Sequence, residues 1–202
     1  FCKKYDMPLV VKSSLVEDSK GTLICEEDSS MEQPVVSGIM NDNNQAKITI
    51  KGVPDQPGIA SKFFTGLAEG NLSVDMIIQN VSDENHTDIS FTVTKEDINK
   101  ATKIVQELGK LVEARDISAD PNICKVSIVG AGMRSHPGVA AKMFSALSNE
   151  NINIIMISTS EIRVSCIIEE KYGELAVRVL HKVFNMNEAK KNSALKGNDE
   201  SI

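Results

Sequence analysis

Ala46-Lys47-Ile48-Thr49-Ile50-Lys51-Gly52-Val53-Pro54-Asp55-Gln56-Pro57-Gly58-Ile59-Ala60 is the stretch that decides the fold. Its first seven residues are apolar at alternate positions and close on a glycine, the two-residue period of a half-buried strand. A turn follows, and then Ile59, Phe63, Phe64 and Leu67 recur at helical spacing. Pro57 suits a first helical position, where its missing N–H costs nothing. Gly58 lets a ligand or another backbone approach closely. A helix start of this kind presents free N–H groups, a natural receptor for a carboxylate. Leu72-Ser73-Val74-Asp75-Met76-Ile77-Ile78-Gln79-Asn80 reads as a second strand.

The stretch then recurs. Cys124-Lys125-Val126-Ser127-Ile128-Val129-Gly130 repeats the strand, and Ser135-His136-Pro137-Gly138-Val139-Ala140 repeats the turn. Lys142, Phe144 and Leu147 match Lys62, Phe64 and Leu67, and Asn151-Ile152-Asn153-Ile154-Ile155-Met156 matches residues 71–76. A period of this size is a tandem duplication of a small domain and not a solenoid.

Each copy continues in the same order. In the first, His86 to Val93 alternates as a third strand, and Thr94-Lys95-Glu96-Asp97 reads as a cap with acidic residues in the first turn. Its helix carries Ile98, Ala101, Ile104, Val105 and Leu108 and is expected to end at Gly109, with Val112 to Ile117 as a fourth strand. This is a β-α-β-β-α-β, ferredoxin-like unit of the α+β class. In the second, residues 161–168 form the third strand, and Leu175, Ala176, Val179, Leu180 and Val183 mark the second helix. No fourth strand follows it. Val35 to Met40 is a strand without a unit, expected to end at the turn Asn41-Asp42-Asn43-Asn44 and to complete the second sheet. The first unit is then inserted in the second. The expected domains are 46–119, and 35–40 with 122–184. Residues 1–30 precede them as the end of another domain and a linker, and 185–202 follow as a polar, disordered tail.

Bulk properties narrow the functions. The 202 residues carry a net charge of −6 with no basic cluster, which argues against nucleic acid or an anionic membrane. No apolar run approaches a membrane span. Cys2, Cys25, Cys124 and Cys166 are scattered; Cys124 and Cys166 sit in strand patterns and read as reduced, packed thiols, which fits a cytoplasmic protein. His86, His136 and His181 have no metal-ligand spacing, and no nucleophile elbow or Walker loop occurs. No catalytic residue and no metal is therefore expected. Gly130-Ala131-Gly132 reads as the counterpart of Gly52-Val53-Pro54 in preference to a dinucleotide fingerprint. The chain opens on Phe1, and residues 1–13 read as the end of a helix and a buried strand of something longer.

Two loops suit a small amphoteric molecule. The first offers helix-start N–H groups near Gly58, with Asp75, Gln79 and Asn80 on the next strand; the second spans residues 133–140, with polar groups at 158–161. An amino acid needs donors for its carboxylate and acceptors for its ammonium, and both are present. The alternative is that Pro-Gly only starts a helix, Asp55 only caps it, and the units serve as a structural dimerisation module.

Residues 52–60, 74–80, 129–139 and 157–163 resemble the tandem ACT domains at the C-terminal, regulatory end of the aspartate kinase family. Pro8 to Ile24, with Ser13-Ser14 and Gly21-Thr22, resembles the end of that family's kinase domain. The resemblance implies an allosteric part that binds lysine and/or threonine between ACT units of two chains. It implies effector contacts at Asp55, Gly58, Ile59, Ala60, Val74, Asp75, Gln79 and Asn80, and at Ala140, Asn153, Ile154, Ser160 and Glu161. At Ala140 relatives can carry a hydroxyl. It also implies a homodimer and a catalytic domain or subunit as partner, with ATP and Mg held there and no cofactor in this chain. The Lys-Phe-Gly-Gly-type opening of the kinase domain does not occur here. In some relatives the regulatory half is a separate subunit from an internal start, for which Met31 is a candidate.

Overall fold

A computed structural model describes residues 2–5, 7–15, 19–24, 35–82 and 85–186. The end of the expected linker, the start at Met31 and the tail from Asn187 lie outside them, whereas Met186, at the start of the expected tail, packs against the core. The chain divides into an N-terminal segment, residues 1–33, and a main body, residues 34–202.

In the N-terminal segment a short 3-10 helix, Cys2–Tyr5, precedes strands β1 (Leu9–Val11) and β2 (Thr22–Ile24). They pair antiparallel, Leu9 with Ile24 and Val11 with Thr22. The sequence suggests a buried, unpartnered strand here, whereas β1 has a partner and is exposed along its length.

The main body is built on two long strands, β3 (Gly38–Pro54) and β6 (Asp116–Val129). Between them run α1 (Ile59–Glu69), β4 (Ile77–Ser82), β5 (His86–Val93) and α2 (Ile98–Leu111). After β6 come α3 (Val139–Asn149), β7 (Met156–Ser160), β8 (Arg163–Glu169) and α4 (Gly173–Val183). One antiparallel sheet contains all six strands in the order β4-β5-β3-β6-β8-β7. The halves of β3 and β6 exchange roles. Residues 46–54 pair with β5 and residues 47–51 with Asp116–Asp120, so they begin the first unit. Gly38 to Asp42 pairs with Val129 to Lys125, beyond which β8 follows, so it is the fourth strand of the second.

The expected turn at Asn41 to Asn44 is not a turn. The backbone stays extended from Gly38 to Pro54, and the polar run is absorbed as register shifts between Asp42, Gln45 and Lys47. The side chain of Asp42 accepts from the Asn44 N–H at 2.9 Å, the local bond that makes this composition look turn-like in sequence. Gly109 likewise does not end α2, which runs to Leu111. A Cβ there would lie 2.5 Å from the Ile117 side chain, so the glycine admits the incoming strand.

Alternation fixes the faces. Ala46, Ile48 and Ile50, with Ile89, Phe91 and Val93, bury against Phe63, Leu67, Ala101 and Val105. Cys124, Val126 and Ile128, with Val164, Cys166 and Ile168, bury against Met143, Leu147, Ala176 and Leu180. Ile123 and Ile167 alternate with these residues and point to the other face. There they join Met76 and Met156 in a third cluster bridging the units. Equivalent hydroxyl pairs lie on that face in both units, Thr49 with Ser90 at 3.1 Å and Ser127 with Ser165 at 2.8 Å.

Candidate functional site

The turn before α1 is held from below. Gly52 N–H donates to Asp88 Oδ1 at 2.8 Å, and Asp55 N–H donates to the Asn85 carbonyl at 2.8 Å. Both bonds fasten the loop to the β4–β5 end of the sheet. The helix itself begins at Ile59, with Gly58 as its N-cap at φ 94°, so Pro57 stands one residue outside the cap and not at the first helical position. A left-handed cap demands glycine, and it turns the chain so that no side chain reaches the first-turn N–H groups. No side-chain hydrogen bond caps the helix, and a Cβ placed at Gly58 would meet nothing within 4 Å.

The second turn reaches the same result by another route. A 3-10 helix, Ala131–Ser135, leads into it, and the His136 imidazole bonds through Nδ1 to the Gly132 carbonyl at 2.8 Å. Gly138 then caps α3 at φ 94°, again without a side-chain cap and with nothing within 4 Å of its Cβ position. The Gly130-Ala131-Gly132 triplet belongs to this packing, since a Cβ on Gly130 would lie 2.2 Å from the Val35 carbonyl oxygen. Both helices also leave through an asparagine in the left-handed region, Asn71 at φ 53° and Asn151 at φ 54°.

The expected ligand contacts fall into two sets. Asp55, Gly58, Ile59 and Ala60 share an end of the first unit with Gln79 and Asn80. Ser82 pairs with His86 and His86 with Pro54, so the C-terminal half of β4 lies beside the turn. Asp55, Gly58, Gln79 and Asn80 are exposed, and Ile59 is buried. In the second unit Ala140 is the second residue of α3, and Ser160 and Glu161 sit where β7 turns into β8. Val74 and Asp75 lie at the other end of the first unit, and Asn153 and Ile154 at the matching end of the second. Each helix spans 11 residues between its two ends, about 16 Å. One chain therefore does not bring the two sets together.

Asp75 is already engaged. Its Oδ2 forms an ion pair with Lys125 Nζ from β6, which also faces Asp42 Oδ2 at 3.9 Å. Gln45 Nε2 donates to that Asp42 oxygen at 2.8 Å. Sequence reading missed Lys125, Asp42 and Gln45, because 50 residues separate Lys125 from Asp75. Among the described residues, no group of three or more His, Cys, Asp or Glu is placed to hold a metal, and no helix is long and apolar enough to cross a membrane.

The family model of the ACT domain matches residues 48–108 and 126–184. A chain in the crystal structure of aspartokinase alpha and beta subunits is 54% identical at a TM-score of 0.71, covering 74% of this chain and 99% of that one. The chain belongs to the ACT-domain family, as the regulatory region of an aspartate kinase. The ligand-free regulatory subunit of aspartate kinase from Thermus thermophilus is 43% identical, with the same TM-score and coverage of 74% and 99%. Aspartate kinase Ask_LysC of Stutzerimonas stutzeri is 52% identical over 195 residues. The match takes in 96% of this chain and 47% of that kinase, so the chain spans about half the length of this relative.

Proposed function

We propose that this ACT pair is the amino-acid sensor of an aspartate kinase, binding lysine, threonine or both. Through them it governs ATP-dependent phosphorylation of aspartate, carried out by a catalytic domain or subunit outside this chain. The observation that carries the reading is the pair of helix starts at Gly58 and Gly138, alike at φ 94° and without a side-chain cap, although the Ile59 N–H of the first already donates to the Gln56 carbonyl. The effector's carboxylate docks on the first-turn N–H groups there, and side-chain oxygens take its ammonium. Clostridium acetobutylicum aspartate kinase, 28% identical with a TM-score of 0.79, is an allosteric enzyme, which supports a regulatory role.

A second copy completes the site. Strands β4 and β7 are the two sheet edges, each paired on one side only, and each exposes an isoleucine at the same position, Ile77 and Ile157. Pairing β4 antiparallel with β7 of a second copy hides both edges. It also sets the Gly58–Asn80 end of one chain beside the Asn153–Ile154 end of the other, uniting the two sets of contacts. Binding then favours the dimer form that holds the catalytic part inactive. A coupling of about 1–3 kcal/mol gives the usual five- to 150-fold effect. A cytoplasmic location follows from the reaction regulated.

Gly58→Asp tests this against a dimerisation module without ligand. A carboxylate at the helix start repels the effector's own, so binding of lysine or threonine is expected to weaken at least tenfold. Sedimentation is expected to show the dimer unchanged. Effector binding that survives the substitution would leave the dimerisation reading standing.

A further inference from the structure

We infer that Lys125 is an internal competitor for the Asp75 carboxylate: an effector's ammonium takes that carboxylate only as the Lys125 ammonium moves over to Asp42. The inference rests on the reading of Asp75 as an ammonium acceptor. Three observations carry it. Lys125 is largely enclosed, with its side chain 15% exposed, while the Asp75 and Asp42 side chains are 40% and 39% exposed. One enclosed cation thus stands between two carboxylates that solvent and ligand can reach.

The second observation is that a receiving site is already built. Asp42 Oδ2 lies 3.9 Å from Lys125 Nζ, a short movement from full contact. The same oxygen holds Gln45 through its Nε2, and Gln45 is 7% exposed with its Oε1 buried and unpartnered. A carboxylate oxygen has lone pairs for more than one donor, so Asp42 can receive the ammonium without releasing Gln45. Release of Lys125 from Asp75 therefore does not strand a buried charge, the outcome that makes most enclosed ion pairs rigid.

The third is the asymmetry of the repeat. Lys47 is the equivalent of Lys125, but Ile155 is the equivalent of Asp75, since Asp75 N–H bonds to the Thr92 carbonyl and Ile155 N–H to the Ile167 carbonyl at matching positions. The exchange exists once in the ACT pair. Asp75 belongs to the first unit, whereas Lys125 and Asp42 belong to strands of the second, so the exchange carries the state of one unit into the other. A separate ion pair, Lys95 with Glu170 at 2.6 Å, joins the units without touching Asp75 and serves as a control.

The test is calorimetric titration of the full chain with lysine and with threonine, alongside thermal melts. Lys125→Met is expected to tighten binding of the amino acid that uses Asp75 by roughly two- to fivefold, the strength of a partly exposed ion pair given up. Asp42→Asn is expected to weaken it by a similar factor, because Lys125 loses its destination. Lys125→Arg is expected to restore wild-type affinity, and Lys95→Met to leave it unchanged. Should Lys125→Met not melt cooperatively, Lys125→Gln replaces it. Opposite signs that persist at raised ionic strength are the expected result, whereas opposite signs that vanish with salt mark plain through-space charge effects and overturn the exchange. Equal signs, or no change in Lys125→Met while Asp75→Asn abolishes binding, overturn the competition and leave the sensor standing. Binding indifferent to Asp75→Asn overturns it by removing the contested carboxylate. No binding by the wild-type chain overturns the sensor reading itself.

Discussion

The two ACT units share a backbone and differ in its chemistry. The first helix of each, α1 and α3, starts at a glycine with φ 94° and is followed by an asparagine near φ 54°, and matching hydroxyls pair on the open face. Yet Gln45 of the first unit stands opposite Ile123 of the second, Asp75 answers to Ile155, and Lys95 to Glu170. Where these positions meet across the β3–β6 seam, the differences become contacts: Lys95 pairs with Glu170, and Asp75 reaches Lys125. Duplication preserved what the fold needs, the special backbone angles and the apolar alternation. It released the polar positions, which now hold one unit to the other and make the two units unequal.

The largest test of this contrast is at the glycines that close the first strand of each unit. Gly130 lies against the Val35 backbone, so Gly130→Ala must shift main chain and is expected to cost about 3 kcal/mol or more. Its equivalent, Gly52, meets side chain and not main chain, the stem of Arg115 from its Cβ at 3.0 Å outward, and sits at φ 62°. Gly52→Ala is expected to cost about 1–2 kcal/mol, the strain of the left-handed region with a shift of the Arg115 stem. Urea unfolding of both variants reads the difference, and equal costs would remove the distinction.

A smaller effect tests what the units share. Asn71→Ala and Asn151→Ala each place an ordinary residue at φ near 54°, with an expected loss of about 1 kcal/mol apiece. Glycine at either position is expected to be tolerated. A large difference between the two sites in the same melts would mean that the helix ends are not equivalent.

The smallest effect is silent at neutral pH. Burial pushes the Cys124 thiol from its ordinary 9.0 up to about 11 and the Cys166 thiol up to about 12. Both belong to the second unit; Ala46 and Phe91 occupy the matching positions of the first. Above pH 9 the unfolded thiols lose protons that the folded ones keep, so stability is full below pH 9 and falls as pH rises toward 12. The double variant Cys124→Ala, Cys166→Val is expected to flatten that decline, read as midpoint against pH.

Much of the fold was legible because it is local. Alternation around Ile48 and Ile50, helical spacing through Phe63 and Leu67, and the repeated Pro-Gly each report on neighbours in sequence. The surplus strand near Ile39 was legible by counting. Misreadings arose where distant partners override composition. Asn41 to Asn44 has turn residues, but pairing with β6 some 80 residues away keeps it extended. Gly109 looks like a helix stop, and its reason is Ile117 arriving from the next strand. At the site, the glycine caps announced themselves through Pro-Gly. Lys125 did not, because a lysine on the polar side of a strand has no local sign that a carboxylate from the other unit will meet it.

The most direct measurement is calorimetric titration of the full chain with lysine and threonine, separately and together. Saturable heat from at least one of them is expected, and it should be lost in Gly58→Asp. Heat from neither, with sedimentation showing the dimer intact, would contradict the account.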